Sequence, residues 1–458
     1  MIRDYLITTL NKLTGVDIIK NEIDIINNNQ KIKFENILKE ISDLKQALKQ
    51  EQIENSQFKT LVRIRHKTLT KQKINVLFFV IHTSIWQYDD LYKKFLSNKL
   101  FNPTIVIVPY TMYGDQNMIE NINNTFKFFS KKKYNVINTY NNKTKTFIDI
   151  KEKLKPDIIF FTNPHKITKD EYYINNFYQD TLTCYVPYGI MTANIEQLQY
   201  NQEFHNIIWK NFYETEIHKK LAEKYADNKG KNVIITGYPK CDIFLNPNYK
   251  PKNVWKKTNR KLKKIIWAPH HTIEKNDKEM GYSNFLKYHQ TMLDIAKKYE
   301  KQIQFVFKPH PILISKLKKH PDWGEHRVSK YCKKWKNGKN TQLELDSYTD
   351  LFLTSDAMIM TSLSFLTEYL YINKPCLFIV KDKTISKKFN EFGLKTFNLV
   401  YKSHGIKDIY KFLDNIVLKE NDNKKVIRQK FLDNYLIPPN NKSATDNIFN
   451  YIYNIYII

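Results

Sequence analysis

The stretch SDAMIMTSLSFLTEYLYINKPCLFIV, residues 355–380, decides the fold. Ala357, Met358, Ile359 and Met360 form a short run that is apolar throughout, and residues 376–380 form another. Between them, residues 364–371 read as a helix. Strands apolar on both faces and separated by a helix belong to a parallel sheet covered on both sides. Where the first strand ends, Thr361, Ser362 and Ser364 bring hydroxyls to the start of the helix, beside backbone N–H groups that have no helical partner. That is an anion site without a glycine-rich loop, although Ser or Thr there also serves as an ordinary N-cap. Glu368 lies one turn further on, suited to hydrogen-bonding a ribose hydroxyl.

Outward from this unit the pattern repeats. Residues 264–268, 304–308 and 341–345 read as strands and residues 285–299 as a helix. Helices follow at 407–418, 424–435 and 444–453. Upstream, strands are expected at 74–81, 104–108, 134–138, 157–161, 182–186 and 233–236. Helices are expected near 87–96, 118–129, 147–154 and 214–225. A loop with Pro247 and Pro251 separates the two series. The expected fold is α/β, with two doubly wound Rossmann-like domains over 73–250 and 251–458. The last helix is long enough to cross back, which is the GT-B arrangement. The N-terminal side would carry the acceptor and the C-terminal side the nucleotide donor. Residues 1–72 read as a separate helical segment. Its Phe34, Ile37, Ile41, Leu44 and Leu48 keep a 3-4-3-4 spacing on one stripe. Two readings stay open for that stripe: a coiled coil that makes a homo-oligomer, or an amphipathic arm packed on its own chain or on lipid. Residues 63–73 form a basic connector.

Ligands of such folds bind in the crevice outside the carboxyl ends of the strands. Four further segments fall there. Tyr188 and Gly189 turn out of one strand in VPYG, and Gly237, Lys240 and Asp242 follow another in TGYPKCD. His270 and His271 end a strand in IWAPHHT, and Lys308, His310 and Pro311 end the next in FVFKPHP. Proline stops the strand and fixes φ, so the imidazoles are held in place. Histidine at such a position transfers a proton near neutral pH, or donates to a phosphate oxygen when charged. A lone histidine is more often structural; two matching turns favour function.

The chain of 458 residues carries 74 basic and 46 acidic side chains, a net charge of +28. The excess points to polyanionic partners, against a lysine-rich solvated surface as the plain alternative in an AT-rich coding background. The run 252–264 holds seven bases and no acid, suited to an anionic membrane face or to a solvated linker. Cys184, Cys241, Cys332 and Cys376 lack metal or disulfide spacing and read as reduced thiols. No metal-ligand cluster and no cofactor are expected. No secretory leader is evident, and no apolar run approaches the ~20 residues of a membrane span. The expected location is cytoplasmic, with the inner face of the cell membrane as a docking place.

Taken together, GYPKCD, WAPHHT, KPHP and the 355–380 stretch resemble, in order and spacing, the motifs of the CDP-glycerol glycerophosphotransferases, the teichoic-acid polymerase family. The resemblance spans roughly residues 180–385. It implies transfer of glycerol phosphate from CDP-glycerol to a polymer or lipid-linked acceptor. By position, His310 would contact the donor diphosphate as a cation and assist departure of CMP. Lys308, Pro311, Thr361, Ser362 and Ser364 would line the donor's phosphates, and Glu368 its ribose. The family's general-base histidine has Tyr188 in its place, so His270 or His271 would supply the base. A GT-B glycosyltransferase using a CMP-sugar or other nucleotide sugar for capsule or lipooligosaccharide is the alternative within enzymes. A nucleic-acid-binding protein is the alternative outside them; the absence of any RNA- or DNA-binding signature and the dispersal of the basic residues speak against nucleic acid as a partner.

Overall fold

The computed structural model describes residues 2–274, 281–346 and 348–457. It has two compact units, 1–59 and 60–458. The first is helical: Ile2–Thr14, then most of the 54-residue helix Val16–Leu69, separated by Gly15 at φ +72°. The apolar stripe of that long helix is exposed, its five residues being 43–69% accessible.

The second unit contains two parallel sheets. Strands β1 (Ile74–Val80), β2 (Phe101–Ile107) and β3 (Val136–Asn138) come first. A small hairpin, β4 (Tyr140–Asn141) and β5 (Thr146–Phe147), follows. Then come β6 (Ile158–Phe161), β7 (Leu182–Tyr185), β8 (Lys210–Tyr213) and β9 (Val233–Ile235). Their order is β3-β2-β1-β6-β7-β8-β9. The second sheet holds β10 (Lys263–Ala268), β11 (Ile303–Phe307), β12 (Thr341–Leu343), β13 (Ala357–Met360), β14 (Cys376–Ile379) and β15 (Tyr401–Ser403). Its order is β12-β11-β10-β13-β14-β15. Both are doubly wound α/β sheets, and each order reverses once, between β1 and β6 and between β10 and β13. Those reversals open the crevices where ligands bind.

The central strands β6, β7, β11, β13 and β14 are buried end to end because helices cover both faces. Phe78 stacks on Phe160 at 5.1 Å and Trp267 on Phe307 at 4.9 Å. Besides the β4–β5 hairpin, two strands of the parallel sheets escaped sequence reading. β8 reads Lys-Asn-Phe-Tyr and β15 Tyr-Lys-Ser, both too polar and short to register as apolar runs.

Two ties join the halves of this unit. The terminal helix Ala444–Ile457 packs on the first sheet, with Phe449 5.2 Å from Phe95 and Tyr451 5.6 Å from Phe212. On the other side, residues 192–194 run along 388–390: Asn194 N–H donates to the Lys388 carbonyl at 2.9 Å and Asn390 N–H to the Thr192 carbonyl at 3.0 Å. The two carboxyl edges therefore face one another across a cleft.

Candidate active site

The second sheet's reversal gathers three loops. Backbone bonds stitch them: Lys308 N–H to Trp267 O at 2.8 Å, His310 N–H to Pro269 O at 3.1 Å and Thr361 N–H to Ala268 O at 3.2 Å. These continue the β11-β10-β13 ladder beyond the strands and bring PHHT, KPHP and Thr361 into one place. His270 N–H donates to Thr361 Oγ1 at 2.9 Å. The rings of His271 and His310 are 4.4 Å apart and those of His270 and His310 5.2 Å. One ring nitrogen from each of the three histidines lies within 4.8 Å of the others', a cluster whose composition could hold a metal ion. Sequence spacing concealed it, because His310 is brought in by strand pairing.

Burial lowers the pKa of His310 to about 3, with His271, Lys308 and Lys316 adding repulsion. His270 is pushed well below its ordinary value by burial and by His271 and His310. The expected imidazolium at His310 is thus a neutral ring, since a buried cation beside two lysines is too costly. Lys308 lies two residues before His310. Its residue is 3% exposed, and its ammonium makes no hydrogen bond or ion pair among the described residues. Burial lowers its pKa, against longer-range attraction by Glu344 and Asp346. Pro311 is the first residue of the helix Pro311–Lys319, with His310 as its N-cap.

The other expected residues divide. Ser362 stands at the N-cap of Leu363–Glu368 without a side-chain cap bond, so its hydroxyl does not do the capping expected of it. Ser364 is half-buried on the same turn. Glu368 is 1% exposed. It accepts from the Tyr348 hydroxyl and lies 3.9 Å from the Lys240 ammonium, which also sits 5.2 Å over the Tyr348 ring. Gly237 and Asp242 have structural partners. Gly237, at φ +87°, leaves room for Pro438, and Asp242 caps the terminal helix. Tyr188 and Gly189 lie just beyond the carboxyl end of β7 in the first sheet. The Tyr188 hydroxyl is 3.5 Å from His165 Nε2, and the Gln202 amide donates to His165 Nδ1 at 2.9 Å. His165 went unnoticed although Pro164-His165 follows the expected strand 157–161 and repeats the Pro-His strand exit read at 269–270 and 309–310. All four cysteines are free. No described helix is long and apolar enough to cross a membrane.

Two doubly wound parallel sheets, tied by a terminal helix that crosses back onto the first, define a GT-B fold, with the hydroxyl–imidazole cluster at the second sheet's reversal. A family model described as CDP-Glycerol:Poly(glycerophosphate) glycerophosphotransferase matches residues 189–454, more than half of the chain. The chain belongs to this family. It is a transferase that moves glycerol phosphate from CDP-glycerol to poly(glycerophosphate). Solved structures agree on the fold. A variant of the wall teichoic acid polymerase TagF aligns at TM-score 0.53 and 12% identity, over 88% of this chain and 98% of its own. MnaA from S. aureus, solved with UDP, aligns at 0.51 and 15%, over 84% and 98%. The UDP-GlcNAc 2-epimerase of Methanocaldococcus jannaschii aligns at 0.52 and 14%, over 83% and 100%. No curated protein matches the sequence.

Proposed function

We propose that the cluster at the second sheet's reversal binds the donor's diphosphate and stabilises departing CMP. The observation that carries this is Lys308, a residue 3% exposed whose ammonium has no hydrogen bond or ion pair among the described residues, two residues before His310. An acceptor hydroxyl attacks the phosphorus of the glycerol phosphate and gives up its proton to solvent water as the new P–O bond forms. The bond from that phosphorus to the bridging oxygen breaks, and negative charge grows on CMP. Lys308, the imidazoles and the Thr361 hydroxyl meet that charge with donors already in place, which is where preorganised electrostatics act most strongly. Ser362, Ser364 and Pro311 line the same phosphate region. Glu368 reaches the ribose through the Tyr348–Lys240 group. Tyr188, Gly189 and His165 face the acceptor from the first sheet, and the acceptor is a polymer or a lipid-linked primer.

The test is calorimetric binding of CDP-glycerol, CMP, UDP and GDP to the full chain. Cytidine-selective binding lost in Lys308→Met supports the reading. A stronger response to UDP or GDP moves the enzyme to nucleotide sugars.

The exposed stripe of the long helix is proposed to pair with a second copy, since Phe34, Ile37, Ile41, Leu44 and Leu48 repeat as a coiled-coil seam does. Light scattering of Ile41→Asp/Leu44→Asp against wild type checks this, a mass unchanged by the substitutions refuting it. The exposed bases Lys252, Lys257, Arg260 and Lys261 are proposed to meet anionic lipid at the inner membrane face. Flotation with phosphatidylglycerol vesicles after reversing three of these charges decides that point.

A further inference from the structure

Two of the clustered histidines are each held in one tautomer. His310 Nδ1 accepts the N–H of Ile312 at 3.2 Å. A nitrogen that accepts carries the lone pair, so the proton of the neutral ring sits on Nε2. His270 Nδ1 lies 3.0 Å from Thr272 Oγ1. That oxygen already accepts the N–H groups of Tyr282 at 3.0 Å and Ser283 at 3.3 Å. With both lone pairs of the hydroxyl engaged, its single proton goes to His270 Nδ1. His270 therefore also carries its proton on Nε2.

A metal ion would need lone pairs where these rings carry protons. His310 could free its Nε2 lone pair only by turning an N–H against the N–H of Ile312, and second-neighbour bonds of this kind fix what a histidine can ligate. General-base chemistry meets the same obstacle, because neither ring offers an open lone pair. What both offer is an N–H beside a buried, unpaired ammonium.

We propose that His270 and His310 act as a pair of neutral imidazole donors to the diphosphate oxygens of the donor, Lys308 alone supplying positive charge, and that neither is the general base. The inference rests on the donor-binding reading above. Neutral donors keep their protons as the product anion leaves, so CMP departs unprotonated and no ring has to be recharged between turnovers. His270 becomes a donor-contacting residue on a loop for which proton abstraction was the expectation.

CDP-glycerol suits the test, as its diphosphate diester has no proton to lose near neutrality. Its affinity is measured calorimetrically between pH 5.5 and 7.5, with EDTA and then with added zinc. The charged and titratable groups facing the pair are His271, Lys308, Lys316 and Tyr282, with Glu274 3.2 Å from Lys316. The series is therefore repeated in His271→Gln, so that the third ring does not contribute. The expected affinity changes by less than about threefold over this range. His270→Gln and His310→Gln, whose amide N–H stands in for Nε2–H, are expected to stay within about tenfold of wild type. His270→Phe and His310→Phe are expected to lose about ten- to a hundredfold, as for a hydrogen bond to a charged group. Affinity that strengthens about tenfold per unit as pH falls through 6.5 would leave the donor reading standing and overturn the neutral pair. Stoichiometric zinc binding, with affinity abolished by EDTA, would overturn it in favour of a metal. Folded protein that binds CDP-glycerol at no pH would overturn both readings.

Discussion

The carboxylate of Asp242 accepts the backbone N–H of Ala444 at 2.8 Å through one oxygen and that of Thr445 at 2.8 Å through the other. An acid after the first sheet's last strand thus caps the helix that ends the chain, 202 residues away. Asp242→Ala should destabilise the protein by about 1–2 kcal/mol, the usual worth of an N-cap, without a direct effect on donor affinity. Denaturant unfolding and CDP-glycerol binding measured on the same variant check both parts.

Gly237 makes the matching demand for space. Its φ is +87°, and a Cβ there would lie 2.8 Å from Pro438 Cβ and Cγ and 3.1 Å from Ala444 Cβ. Gly237→Ala combines left-handed strain with a clash against a rigid ring, so a loss of about 2–4 kcal/mol is expected from the two costs together. A midpoint in guanidinium chloride unchanged from wild type would show that the Pro438 loop yields freely.

Lys308 should separate stability from binding. Replacing a buried, unpaired ammonium by Met removes a desolvation cost, so the ligand-free protein should gain about 1–3 kcal/mol. The same change should weaken CDP-glycerol binding by about a hundredfold or more, each charge-assisted hydrogen bond carrying about 1.5–3 kcal/mol. A variant that is less stable and binds normally would show the lysine to be a structural residue.

Thr361 is held between two backbone groups, its N–H on Ala268 and its hydroxyl under the N–H of His270. Thr361→Val leaves a buried N–H without its acceptor and moves the imidazole. A fall in kcat/KM of about 10- to 100-fold is expected, corresponding to about 1.4–2.7 kcal/mol. Thr361→Ser should restore most of it.

Two acids, Glu214 buried and Asp242 half-buried, give the folded state a pH signature. Burial raises Glu214 to about 8, the N–H groups of Glu214 and Met191 pulling it back in part, and raises Asp242 to about 6 against its cap bonds. For an acid whose folded pKa lies above its unfolded value, the native state holds the proton longer. The stabilisation is complete below the unfolded pKa and is lost as pH rises through the folded one. For Glu214 the loss runs from about pH 4.5 to about 8. Stability should therefore decline with rising pH over that span by at most about 1.4 kcal/mol per unit from this group. Glu214→Gln should flatten the decline.

The parallel sheets were legible because their central strands are apolar on both faces, as in residues 357–360 and 376–380. β8 and β15 were not, since Lys210, Asn211 and Lys402 break the apolar run while backbone pairing holds the strand. The donor cluster was legible as separate turns, and its residues do meet. Its charge state was not. Only the helix starting at Pro311, which places Ile312 N–H on His310 Nδ1, and the burial around both rings decide that. Asp242 misled for the same kind of reason: a carboxylate after a strand exit looks like a cleft residue until the partner 202 positions later is known. His165 shows the converse: Pro164-His165 repeats the same strand exit, and only the fold shows that it reaches Tyr188 from the neighbouring strand.

The terminal helix has a consequence for how the chain is made. Phe449, Tyr451 and Ile452 fill the core beside Phe95, Phe101 and Phe212, strands and helices synthesised hundreds of residues earlier. Domains usually fold as they leave the ribosome, N-terminal part first. Here the first sheet emerges early yet keeps an apolar face uncovered until the last helix is released. Completion of the earlier half waits on the synthesis of residues 444–457, and a nascent chain stalled before residue 444 would display that face to chaperones.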